Sequence, residues 1–261
     1  MIQLFFGAGD RQLFGIYRTP SPSVAPRGAA LLCPPWGQEY LVSHRFYVHL
    51  ANRLRESGYH VLRFDYFGTG DSAGDRRDGD VDSWHQDAAT ALEELRDMSG
   101  MSQVAVFGIR LGACVAWRLA STRPDVHTAV LWDPIVSGAG YVKDLVETQQ
   151  TIDRASLMEP LLRRSGPEVL QLLGFPMSKA LRTSIERIRL DEFRKHSAAQ
   201  VKLFFSLAGP DGPALQAALL AGGTATLLET SRGETPWRED EYTGPGSVSL
   251  PVLERMIEMI S

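Results

Sequence analysis

The stretch VAVFGIRLGACVAWRLA, residues 104–120, constrains the fold more than any other part of the chain. Val104-Ala105-Val106-Phe107 is a short, unbroken apolar run. It lacks the polar alternation of a half-exposed strand, so it reads as a strand buried on both faces. Gly108 and Gly112 bracket a tight turn, and the small and apolar residues that follow read as a helix. A buried strand that passes at once into a helix is half of a βαβ unit, which requires parallel partner strands.

The rest of the chain supplies them. Ile2–Phe6 and residues 12–18, separated by Gly7-Ala8-Gly9-Asp10, predict an antiparallel hairpin. Residues 19–27 hold three prolines and predict a loop. Residues 29–33 predict a short apolar strand ahead of Pro34-Pro35-Trp36-Gly37, and residues 44–57 an amphipathic helix stopped by Gly58. Tyr59–Phe64 is the next strand, leading into the glycine-rich turn DYFGTGDSAGD. Residues 81–98 predict a helix with Asp82 as its cap and Leu92 and Leu95 on its inner face; residues 129–132 predict a strand ending at Asp133-Pro134. From 137 to 196 the alternation stops. No strand is predicted there, and helix-prone pieces are broken by Pro160, Gly166-Pro167 and Gly174-Phe175-Pro176. This is expected to be a helical lid inserted into a core of residues 1–136 and 197–261. The alternation resumes with a strand at 201–207, a helix at 213–221, a strand at 224–229 and a helix at 248–260. The expected fold class is α/β: a mostly parallel sheet of about eight strands with helices on both faces.

Composition excludes several functions. Hydrophobic residues make up 44% and charged residues 22%, and the formal net charge is −4, which gives no electrostatic footprint for nucleic acid. No apolar run approaches the ~18 residues of a membrane span. Residues 1–11 lack a basic segment and a small-residue cleavage site, so no signal peptide is expected. Cys33 and Cys114 lie inside apolar segments and are expected to be buried thiols rather than a disulfide or metal ligands; no metal and no cofactor is expected. A reducing cytoplasm is the expected compartment.

In the order LLCPPWGQEY, VLRFDYFGTGDSAGD, FGIRLGA and LWDPIVSG, the chain resembles the α/β-hydrolase superfamily in its serine-aminopeptidase-like branch. It is similar to the exosortase A-associated hydrolase 2 group, which carries a G-x-R-x-G-A elbow. The resemblance covers nearly the whole chain and implies the α/β-hydrolase fold. It also implies a nucleophile elbow, G-x-S-x-G, at Gly108-Ile109-Arg110-Leu111-Gly112, where an arginine stands in place of the serine. Arginine is not deprotonated in proteins and has no lone pair to offer. The family's histidine follows the last strand. The six histidines here are His44, His49, His60, His85, His127 and His196, so none lies in the last 65 residues. The loop where it belongs reads SRGETPWREDEY, and Trp237, Glu239 or Glu241 are the candidates to fill that space. The acid position offers Asp211, with Asp133 a second candidate.

The oxyanion hole needs only main-chain donors. The resemblance assigns them to Leu111 and to Trp36 in PPWG, so this part of the site is independent of the lost serine. Gln38, Glu39 and His44 follow the same loop and are expected to face the cleft with Trp237. Arg110, at a helix N-terminus, has two open roles: a clamp for a carboxylate or phosphate, or the internal partner of Glu39, Asp133 or Asp211, since a buried arginine must be paired. Glu39 or Asp133 could serve as a base toward water. Ser72 is read as packing the glycine-rich turn. That turn is not a dinucleotide loop, because Asp71 and Asp75 would repel a pyrophosphate.

Two functional expectations follow. One is a non-triad hydrolase or acyl-transfer enzyme acting on an ester, thioester or amide bearing an anionic group. The other is a catalytically inactive hydrolase-fold protein that binds a small ligand or supports a partner enzyme. The expected partners are an anionic small molecule and, at the level of assembly, a homodimer or a complex with a related hydrolase.

Overall fold

The computed structural model describes residues 1–155, 169–231 and 250–260. Eight strands form one sheet: β1 (Ile2–Phe6), β2 (Leu13–Arg18), β3 (Gly28–Cys33), β4 (Tyr59–Phe64), β5 (Val104–Ile109), β6 (Val126–Trp132), β9 (Gln200–Phe205) and β10 (Thr226–Thr230). Their order is β1-β2-β4-β3-β5-β6-β9-β10. The β1–β2 and β2–β4 pairings are antiparallel, and every pairing from β4 to β10 is parallel. The strand that opened the sequence argument, β5, lies inside the sheet between β3 and β6. The expected fold class is borne out.

Strands buried on both faces explain the continuous apolar runs. In β5, Val104 and Val106 point to one side of the sheet and Ala105, Phe107 and Ile109 to the other, as period-2 geometry requires. On the first side they meet helices α2 (Val81–Ser99) and α3 (Leu111–Thr122). On the second they meet α1 (Gln38–Glu56) and α7 (Leu250–Ile260). Each fully buried leucine among these, Leu31, Leu32 and Leu62 for example, contributes roughly 1.5–3 kcal/mol of burial against the entropy of ordering it. No helix among the described residues is long and apolar enough to cross a membrane.

Several local expectations are corrected. α1 begins at Gln38, six residues before His44, because Gly37 turns the chain at φ 68° and caps the helix without a side chain. The cap of α2 is Asp80, in a reciprocal capping box with Ser83, rather than Asp82. The segment between β6 and β9 is not free of strands. It holds α4 (Gly138–Ala155), a hairpin of β7 (Val169–Leu172) and β8 (Phe175–Ser178), α5 (Lys179–Glu186) and a 3-10 turn at Leu190–Arg194. The hairpin turn is Leu173-Gly174, both at positive φ, 52° and 87°. This is the mirror-image geometry that two-residue hairpins prefer. Helix α6 (Asp211–Ala221) links β9 to β10.

Candidate functional site

The elbow between β5 and α3 is built by close backbone approach. A Cβ at Gly112 would stand 2.5 Å from the Pro34 carbonyl oxygen and also strike that of Cys33, and a Cβ at Gly108 would strike the Gly112 carbonyl. Two bare glycines thus bring the loop after β3 against the first turn of α3. Between them Arg110 sits at φ 54° and ψ −119°, outside the regions favourable for a side-chain-bearing residue, at a cost of about 1–3 kcal/mol. Its N–H bonds the Trp132 carbonyl across the β5–β6 gap at 2.9 Å. Tyr47, from α1, fastens the other side of β5: its hydroxyl donates to the Cys33 carbonyl at 2.7 Å and accepts from Ile109 N–H at 3.2 Å.

The Arg110 side chain, 24% exposed, is paired internally. Its Nε donates to Glu39 Oε1 at 3.0 Å and one terminal nitrogen donates to the Asp133 carbonyl at 3.2 Å. Glu39 Oε2 accepts from the Tyr141 hydroxyl of α4 at 3.0 Å, and the Tyr141 ring lies 5.4 Å from the guanidinium carbon. Burial by itself lowers the guanidinium pKa. The Glu39 carboxylate, and after it Tyr141, more than reverse this and hold Arg110 above its ordinary value. Burial, and then the Glu39 charge, push the Tyr141 phenol well up, so Tyr141 remains a donor.

Of the three acids proposed for Arg110, only Glu39 is its ion-pair partner in this geometry. Asp133, at φ 41°, gives its carbonyl to the arginine and turns its carboxylate to the end of β9, where Oδ1 accepts from Ser206 N–H at 3.0 Å. Asp211 opens α6, exposed; it shares with Arg110 and Asp133 the lining of a cleft of about 210 Å³, without a recorded bond to the arginine among the described residues. Gln38, Glu39, Arg110 and Tyr141 line a larger cavity of about 860 Å³, with Asp144, Thr148 and Gln149 of α4 on its wall. His44 lines a different cavity, with Tyr40, Arg63 and Asp65. Five residues along a helix from Glu39 rotate a side chain by roughly 140°, away from the first cleft. Trp237, Glu239 and Glu241 lie outside the described residues.

The two main-chain groups expected to serve an oxyanion hole lie on adjoining elements. Leu111 is the first residue of α3, and Trp36 lies in the loop held against it. Neither N–H has a recorded partner among the described residues. No acidic residue occupies the first turn of α3, so its positive end is not neutralised from within. Cys114 is no substitute nucleophile: its Sγ donates to the Ile135 carbonyl, and burial pushes the thiol up to about 12. Ser72 donates to the Asp65 carbonyl and accepts from Phe14 N–H, a packing role as expected. Among the described residues no group of His, Cys, Asp and Glu could hold a metal ion.

Sequence reasoning missed Tyr141, Tyr47 and the α4 wall. Tyr141, Asp144, Thr148, Gln149 and Ile152 recur at helical spacing, and this stripe on one face was the available signal.

The profile of the family described as serine aminopeptidase, S33, matches residues 40–208. No curated protein matches the chain significantly. Among solved structures, Est1E from Butyrivibrio proteoclasticus with ferulic acid bound is similar at TM-score 0.70 and 15% identity, over 98% of this chain and 96% of that one. The DcsB complex with its substrate analogue is similar at TM-score 0.70 and 14% identity, over 99% and 97%. A putative hydrolase from Agrobacterium vitis S4 is similar at TM-score 0.61 and 21% identity, over 100% and 98%. At these identities the structural likeness shows the fold alone.

Proposed function

The chain belongs to the serine aminopeptidase S33 family of hydrolases, and from that premise we propose that it holds an acyl-type ligand at its elbow without forming an acyl-enzyme. The observation that carries the reading is the side chain at the strained elbow position. Arg110 spends Nε on Glu39 and one N–H on the Asp133 carbonyl. A guanidinium has five N–H donors, so three have no acceptor among the described residues and are offered in this reading to a ligand. A carboxylate or carbonyl oxygen placed on the Leu111 and Trp36 N–H groups would meet the positive end of α3 and those donors together. The 860 Å³ cavity would take the body of the ligand. α4, which supplies Tyr141 and one wall, acts in this reading as part of the cover of the cleft. The arginine elbow is the feature shared with the exosortase A-associated hydrolase 2 resemblance.

A second reading is favoured by one observation: each Glu39 oxygen accepts a single recorded hydrogen bond, leaving a lone pair for water. Glu39 would take a proton from that water, the hydroxide would add to the carbonyl, and the oxyanion would rest on Leu111 and Trp36. The leaving group would depart with the proton returned by Glu39. Glu39 is already held by Arg110 and by the Tyr141 hydroxyl, which places this reading second.

Titration with ferulate, a carboxylate with an aromatic body, tests the first reading. Arg110→Met is expected to weaken its binding at least ten-fold, and fluorophosphonate probes are expected to label no serine. Equal affinity in the variant overturns the clamp, and rapid stoichiometric labelling overturns the absence of an acyl-enzyme. Turnover of p-nitrophenyl esters that disappears in Glu39→Gln selects the second reading. Arg110→Ser is expected to create no esterase, because half a triad without its histidine has no base.

A further inference from the structure

A second cavity lies on the other side of α1, walled by β2, β4 and the loop after β3. Its lining includes Phe14, Ile16, Leu32 and Pro34, which are apolar, and His44 and Arg63, which are not. Arg63 faces this cavity from β4 between Ile16 of β2 and Leu32 of β3, its registered neighbours. Its Nε is buried and has no hydrogen-bond partner, and no bond from its guanidinium is recorded among the described residues. Arg18, diagonal to it on β2, likewise has a buried, unpartnered Nε. Burial, and after it the neighbouring Arg18 charge, lower the Arg63 guanidinium below its ordinary value. The carboxylate on the same wall, Asp65, is already engaged: Oδ1 accepts from the Tyr40 hydroxyl at 2.7 Å and Oδ2 from Asp71 N–H at 3.0 Å. Asp71 itself is exposed to water.

Half-buried cations without hydrogen-bond acceptors are costly; Asp65 acts on Arg63 through space without a hydrogen bond, so the Arg63 N–H groups are open to an acceptor that the described residues do not supply. We propose that this cavity is a second ligand site, one that takes a short-chain carboxylate, with Arg63 holding the carboxylate group and the apolar wall enclosing the chain. Its volume of about 100 Å³ compares with the roughly 10–15 Å³ that one water needs on this scale, so a few heavy atoms fit and a larger body does not. The planar guanidinium suits a carboxylate at two points. His44, whose pKa is lowered by burial first and by Arg63 second, contributes a neutral imidazole that can donate one N–H. Pro34 and Tyr40 border this cavity and flank Trp36 and Glu39, so an occupant would rest directly behind the loop of the first site.

The test is calorimetric titration of the full chain with sodium butyrate and, separately, with inorganic phosphate, at constant ionic strength. Saturable butyrate binding is expected to fall at least ten-fold in Arg63→Gln, while ferulate binding at the first cleft is expected to be kept in that variant. Transferred or direct nuclear Overhauser effects from the butyrate methyl to Ile16 and Leu32 are expected in the wild type. They keep the test decisive should Arg63→Gln fail to fold. Butyrate binding lost in Arg110→Met but kept in Arg63→Gln would move the ligand to the first cleft and overturn the proposal. So would the absence of saturable binding. Phosphate binding as tightly as butyrate, dependent on Arg63, would overturn the assignment of a carboxylate with an apolar chain. The reading of the Arg110 site can fail in its ferulate titration without touching the butyrate and phosphate outcomes.

Discussion

Arg110 and Arg63 border the same short loop after β3 and have opposite fates. Arg110 is met by a carboxylate, a carbonyl and an aromatic ring. Arg63 lies among apolar residues with His44 and Asp65 nearby, and leaves its Nε without a hydrogen-bond partner. Both are partly buried and both line a cavity. The difference lies in which neighbouring elements carry an acceptor: α1 presents Glu39 toward the elbow and, about 140° further round the helix, His44 toward β4. A guanidinium's role in a fold is therefore set by its unspent donors rather than by its presence. Arg110 is chiefly a member of a network, with a remainder to offer a ligand, and Arg63 is an open valence.

The largest expected effect removes the ground common to both. Gly112→Ala forces a Cβ onto the carbonyls of Cys33 and Pro34, which are backbone and cannot swing aside. We expect a loss of more than about 4 kcal/mol or failure to fold, measured by urea denaturation. A variant folding with near-normal stability would show that the loop is not pinned there.

The comparison itself is tested next. Glu39→Ala strands a partly buried cation and is expected to cost about 1–3 kcal/mol, less than a fully buried pair because Arg110 retains some solvent. Adding Arg110→Met should recover part of that loss, as a coupled pair requires. Arg63→Met loses no hydrogen bond recorded among the described residues and is expected to fall within about 0.5 kcal/mol of the wild type, or to stabilise it. Equal costs for Arg63→Met and Glu39→Ala would erase the distinction.

The smallest effect is a slope. Burial, the largest cause, raises the Asp65 carboxyl above the ordinary carboxylate value, while Arg63 acts weakly in the other direction. The native chain then binds this proton at a pH where the unfolded chain has released it. This contribution is present at low pH and is lost as pH rises from the ordinary carboxylate range through the native value. The stability of Asp65→Asn relative to wild type should therefore rise across that window, and Arg63→Met should steepen the wild-type fall. A relative stability that falls with pH would reverse the sign and refute the assignment.

The sheet could be read from the sequence because strands buried on both faces spell continuous apolar runs, and because Gly108 and Gly112 mark a turn that other residues cannot make. Arg110 was legible as the odd residue in the elbow motif, and Glu39 from its place just after the Pro34-Pro35-Trp36-Gly37 loop. The start of α1 was not, because Gly37 caps it through backbone geometry and offers no Ser, Thr, Asp or Asn signal. Tyr141 reaches Glu39 across 102 positions of sequence, and nothing local announces such a meeting. The β7–β8 hairpin was hidden by a leucine at positive φ, which no turn propensity favours.

The Tyr47 hydroxyl, bonded to the Cys33 carbonyl and to Ile109 N–H, acts as a tie-bar. Adjacent strand ends diverge with the twist of a sheet, and the mouth of a cleft at such ends widens unless something spans it. One phenol from α1 spans the gap between β3 and β5 at the level where the two main-chain donors begin. The aperture between Trp36 and Leu111 is thereby fixed by a residue that touches neither of them nor any ligand. Whatever stands at position 110, serine or arginine, is presented through a frame of the same width.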